Sequence, residues 1–85
     1  MISNFKIKLI SRRTRQERVL TLQEFKKDFY NELRQAINTY STHREQSLFY
    51  ERFYKNHDFE SDFYNSLQFN FNNYVMSEWY IAKIF

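Results

Sequence analysis

Apolar and polar residues alternate from Phe5 to Leu9. Phe5, Ile7 and Leu9 fall on one side of an extended chain and Lys6 and Lys8 on the other, a period of two that marks a strand buried on one face. Residues 11–17 are polar throughout, and β-type composition resumes at Arg18-Val19-Leu20-Thr21. Together the two stretches predict an N-terminal β-hairpin with an arginine-rich loop. Tight two-residue turns select Gly or Asn-Gly, and neither is present, so the loop is expected to be longer and flexible. A short helix through the arginines is the alternative.

At Thr21 the period changes. Thr21-Leu22-Gln23-Glu24 is a capping box, in which the threonine oxygen accepts from the N3 amide while Glu24 reaches back to the Thr21 amide. Leu22, Phe25, Phe29, Leu33, Ile37 and Tyr40 then recur at spacings of three and four, predicting an amphipathic helix of about 18 residues with Lys26, Lys27, Asp28, Glu32 and Arg34 on its wet face. A second box, Thr42-His43-Arg44-Glu45, opens a helix carrying Leu48, Phe49 and Phe53, expected to close near Asn56-His57. Asp58 is placed to cap a third helix with Phe59, Phe63 and Leu67 four apart and Glu60 and Asp62 at its positive end. Beyond Leu67 both templates fit, because Phe69-Asn70-Phe71-Asn72 alternates while Phe71, Val75 and Trp79 keep helical spacing. Residues 79–85 are apolar on both faces and rich in β-formers, which favours a C-terminal strand pairing with the hairpin over a continued helix. The fold class is thus α+β in one domain spanning residues 1–85: an N-terminal hairpin, three helices and a closing strand.

Composition sharpens this picture. Ten Phe, seven Tyr and one Trp among 85 residues supply the large buried areas that so short a chain needs. AT-rich coding would by itself raise Phe, Tyr, Asn, Lys and Ile, but the packing consequence is the same. Gly, Pro and Cys are absent. Without Gly there is no phosphate-cradling loop, and without Cys no disulfide, thiolate nucleophile or Cys-ligated zinc. No apolar run approaches the length of a membrane span or signal core, so a cytoplasmic protein making no membrane contact is expected.

Candidate chemistry is sparse. His43 and His57 stand at opposite ends of one predicted helix, about 21 Å apart and too far to share a metal. Glu60 and Asp62 lie on different helix faces, and the carboxylates near His57 are explained by capping. No catalytic, cofactor or metal site is expected. The charges, in contrast, are segregated: residues 1–20 hold Lys6, Lys8, Arg12, Arg13, Arg15 and Arg18 against Glu17 alone, whereas the rest of the chain holds seven bases and nine acids. A basic cluster on a hairpin can neutralise phosphates or dock on a carboxylate-rich protein. Its structural alternative is that the arginines keep an exposed loop soluble and guard an edge strand.

Two resemblances follow from these residues. Arg52-Phe53-Tyr54-Lys55-Asn56-His57 resembles the short motif of the HEPN family of all-helical ribonucleases, although Phe53 stands where a polar residue is usual. That resemblance implies Arg52 and His57 acting on an RNA phosphate and ribose hydroxyl across a dimer; the alternative is a solvated arginine and a histidine suited to a helix C-terminus. In size, charge asymmetry and composition the whole chain is similar to the small glycine-poor proteins of phages and mobile elements, anti-CRISPR inhibitors among them. This implies a non-enzymatic inhibitor whose partner is protein and/or RNA of a nucleic-acid-processing complex, docked through Lys6, Lys8, Arg12, Arg13, Arg15 and Arg18. A DNA- or RNA-binding regulator is the other non-enzymatic reading. Tyr50, Tyr54, Tyr64 and Trp79 are more rings than a small core readily takes, and a homodimer would cover the excess.

Overall fold

The computed structural model describes residues 5–55 and 61–85. Strand β1 (Lys6–Ser11) and β2 (Glu17–Thr21) form the expected hairpin, with Ile7 opposite Leu20 and Leu9 opposite Arg18. The helices are α1 (Leu22–Asp28), α2 (Tyr30–Tyr40), α3 (His43–Lys55) and α4 (Ser61–Asn72), and the chain closes with β3 (Trp79–Ile84). Strand β3 pairs antiparallel with β1, giving the sheet order β2-β1-β3. The α+β class and the closing strand are therefore as expected. Helical periodicity prevails over alternation at residues 69–72 because Phe71 is fully buried beside Leu67 and Phe63 on one face of α4. Val75, which a continued helix would have buried, is 76% exposed.

Among the described residues four helices stand where three were expected. The long amphipathic helix is divided at Phe29, whose backbone (φ −120°, ψ 26°) leaves the helical region. The Phe29 N–H still reaches the Phe25 carbonyl at 3.0 Å, and the Leu33 N–H reaches the Phe29 carbonyl at 2.9 Å, so the apolar stripe continues through the bend. Both capping boxes form: Glu24 N–H donates to Thr21 Oγ1 at 3.2 Å and Thr21 N–H to Glu24 Oε1 at 2.9 Å, and Thr42 with Glu45 repeats the same two distances. The expected closure at Asn56-His57 and the Asp58 cap lie outside the described residues.

The core is built of rings. Phe25 stacks on Phe29 at 5.5 Å between centroids and meets Phe71 at 5.3 Å, while Phe49 stacks on Phe63 at 5.0 Å and on Phe53 at 5.6 Å. The edge contact of Phe25 with Phe53 joins the two groups. Burial of Lys26, whose Nζ lies 5.1 Å from the centre of the Phe53 ring, lowers its ammonium pKa below the usual lysine value. Ile7, Leu9, Leu20 and Ile81 carry this core onto one face of the sheet. Tyr50, Tyr64 and Trp79 pack against its margin, which accounts within one chain for three of the four rings that suggested a dimer. Among the described residues the helices pack on that face alone, and the other face of the sheet is open.

Candidate functional site

The strand register decides which cations share the open face. Along β1 the alternation buries Ile7, Leu9 and Ser11 and turns Lys6, Lys8 and Ile10 outward. Their partners on β2 are Thr21, Val19 and Glu17. On β3 the pairing shifts between Lys8 and Leu9, so that Lys83 lies opposite Lys8 and Ile81 opposite Leu9, leaving Ala82 as the extra residue of a bulge. Tyr80 faces Ile10 on the outer side, and Phe85 continues the ladder by exchanging two backbone hydrogen bonds with Lys6 at 2.6 and 2.9 Å. The open face thus carries Lys6, Lys8 and Lys83 with Ile10, Val19, Tyr80 and Phe85. Its acid, Glu17, is bonded by Lys8 at 3.0 Å.

The arginine loop stands at one end of this face, and it is held more firmly than its lack of glycine suggested. Ser11, fully buried, donates through Oγ to Glu78 Oε2 at 2.7 Å and accepts from the Arg13 and Thr14 amides at 3.2 and 3.1 Å. The Arg15 N–H closes the turn on the Ser11 carbonyl at 3.0 Å, with Arg15 itself in the left-handed region at φ 66°. The loop is longer than a two-residue turn, as expected, and its four residues are tied both by the Arg15–Ser11 backbone bond and by the buried Ser11 hydroxyl.

The six predicted residues do not all point one way. Arg15 Nη1 lies 3.4 Å from the Tyr80 hydroxyl, and the Arg12 guanidinium lies 5.4 Å from the centre of the Tyr80 ring. Arg12 also donates to the Asn72 carbonyl at 2.7 Å, where a cation meets the negative end of α4. Arg13 is largely exposed at the loop tip, 3.8 Å from Glu78. Arg18 departs from the group. Two residues from the buried Leu20 it must face the helices, and there it ion-pairs with Asp28 at 3.2 Å between the rings of Phe29 and Trp79, 5.7 and 5.5 Å away. Its charge belongs to the edge of the core. Lys83, Tyr80 and Phe85 were not anticipated as partners of the hairpin cations, because only the β1–β3 register brings them alongside.

Elsewhere the surface offers less. A cavity of about 370 Å³ between α3 and α4 is lined by Tyr40, Phe49, Phe69, Asn70 and Glu45, whose carboxylate is already engaged in capping α3. Arg52, exposed on α3, lines a smaller neighbour of about 190 Å³ with Leu48 and Phe63. His57 lies outside the described residues, and the three-stranded sheet departs from the all-helical fold of the ribonuclease family that the Arg52–His57 spacing resembles. Among the described residues no cluster of His, Asp or Glu is arranged to hold a metal ion, and no helix is long and apolar enough to cross a membrane. Comparison with protein-family models, curated proteins and solved structures finds no match to this chain, so its own geometry carries the functional argument.

Proposed function

We propose that this protein is a non-enzymatic binding module of the cytoplasm that inhibits a nucleic-acid-processing complex, such as a guided nuclease with its guide RNA, by docking on it through the arginine loop and the open sheet face. The observation that carries this reading is the gathering of Lys6, Lys8 and Lys83, with Arg12 and Arg15 beside Tyr80 at one end, on a side of the sheet that none of the described helices covers. A face with several cations and one ion-paired acid attracts phosphate or carboxylate surfaces over about 10 Å at moderate ionic strength and orients the encounter. Anchored to a sheet and a pinned turn, its side chains lose little backbone entropy on binding, which favours occlusion of a partner's surface over chemistry on it.

A photocrosslinking residue at Val19, which is 51% exposed on this face, tests the proposal in the native cell. Adducts identified by mass spectrometry and RNA sequencing are expected on subunits or RNA of one nucleic-acid enzyme. They should fall about tenfold when Lys6, Arg13, Arg15 and Lys83 are changed to Gln, the size of effect that losing a few charge contacts produces. The purified enzyme so identified should lose activity when the intact chain is added. Adducts that survive neutralisation, or an enzyme that is unaffected, overturn the reading.

A further inference from the structure

We infer that the open sheet face binds single-stranded nucleic acid, with Tyr80 and Phe85 as stacking platforms for bases and Lys6, Lys83, Arg12 and Arg15 on the flanking phosphates. This rests on the docking reading and names the chemistry of its ligand. Tyr80 on β3 and Phe85 just past its end stand on the outer side, opposite Ile10 and Lys6 of β1. Those two partners are four residues apart, which puts the rings about 13 Å from each other along the strand. Two bases of one strand can therefore each cover a ring without competing for it.

Each ring is already paired with a cation. The Arg12 guanidinium lies 5.4 Å from the Tyr80 centroid, and Lys83 Nζ lies 5.4 Å from that of Phe85. A nucleotide has a flat apolar base joined to an anionic phosphate, and a ring beside a cation matches both parts at once. The Arg12 guanidinium beside Tyr80 adds a second planar group within reach of a base that covers the ring. Phe85, 53% exposed, and Val19, 51% exposed, leave apolar area in water that stacked bases would cover.

These features select among anionic partners. A duplex keeps its base faces inside its own stack and would leave both rings uncovered. An acidic peptide would use the cations but has no flat group for the rings. Glu17 is bonded to Lys8, and the Glu78 carboxylate is turned to the buried Ser11 hydroxyl, so neither carboxylate stands unpaired against an incoming phosphate. Arg15 adds a separate argument: an arginine holds the left-handed position of the turn, where glycine would be less strained, and its guanidinium ends at the Tyr80 hydroxyl.

Fluorescence anisotropy of the intact protein with labelled oligouridylate, oligodeoxythymidylate and a duplex, each of about 12 nucleotides per strand, tests the inference. At about 50 mM salt the single strands should bind and the duplex should bind at least tenfold more weakly; the ribo- and deoxyribo- arms tell which backbone is preferred. Raising salt to about 200 mM should weaken binding along a log–log slope near −3, from about four phosphates at −0.7 each. Tyr80→Leu and Phe85→Leu, which keep apolar bulk but lose the flat ring, should each weaken binding about tenfold and leave the slope unchanged. Lys83→Gln combined with Arg15→Gln should make the slope shallower by about 1.4. Circular dichroism melts confirm that each variant is folded. Absence of binding at low salt, a duplex bound as tightly as a single strand, or leucine variants that bind like the parent would each overturn the inference. So would polyglutamate that binds as tightly as the oligonucleotide. If oligonucleotides fail while adducts from Val19 persist on a nucleic-acid enzyme, stacking is refuted and docking stands; loss of both removes the two together.

Discussion

Arg15 shows how one residue can serve a site at a cost to the fold. Its φ of 66° puts a Cβ-bearing residue where the left-handed backbone costs about 1–2 kcal/mol, a cost glycine largely escapes. Arg15→Gly should therefore raise the unfolding free energy by about 1 kcal/mol, measured by urea denaturation, while weakening binding to the open face. A lower midpoint would mean that the contact with Tyr80 outweighs the backbone strain. At this scale the identity of the cations was legible in the sequence, but their direction was legible only in part. Alternation from Leu20 already places Arg18 on the inner face, and applying the period of two across β2 would have removed it from the patch. Arg12 carried no such signal, because a loop residue has no period and its contact with the Asn72 carbonyl spans sixty positions of sequence.

Among the elements, α4 and β3 illustrate what local patterns miss. Strand β3 is an edge strand, and the N–H and C=O of Ile81 point away from β1. Asn72 meets both, its Oδ1 accepting from the Ile81 N–H at 2.6 Å and its Nδ2 donating to the Ile81 carbonyl at 2.9 Å, and Gln68 adds a bond to that carbonyl at 3.2 Å. One side-chain amide thus does for Ile81 what a further strand would do, and it occupies this position of the edge. Asn72→Ala is expected to destabilise the protein by about 2 kcal/mol, from two hydrogen bonds at about 1 kcal/mol each. Asn72→Asp should cost more, since a carboxylate oxygen would face the Ile81 carbonyl; chemical denaturation of the two variants gives the order. The capping boxes at Thr21 and Thr42 were readable in advance because both partners lie within four residues. The bend at Phe29 was not, since it leaves the three-and-four spacing of the apolar residues intact.

For the molecule as a whole, the sheet depends on its last strand. Ile81 is 1% exposed in the core, and β3 pairs along the length of β1 and beyond it to Phe85. Deleting residues 81–85 opens the core and leaves β1 with unpaired backbone groups on one side. The loss should exceed the roughly 5–10 kcal/mol that holds so small a domain together. Circular dichroism should show no cooperative melt, and an unchanged melting temperature would refute this account. The open face likewise belongs to the whole molecule, since it exists because the described helices all lie on one side of the sheet.

Periodicity, capping signals and the crowding of cations before the first helix were enough to establish an α+β domain with a ring-filled core and a basic end, because each depends on neighbours within a few residues. Which cations share a surface, and that Tyr80, Lys83 and Phe85 join them, was decided by the pairing of β3 with β1 and its bulge at Ala82. Residues some seventy positions apart come alongside only when burial of Ile7, Leu9 and Ile81 selects a register, and a shift of one residue there would turn the aromatic platforms into the core.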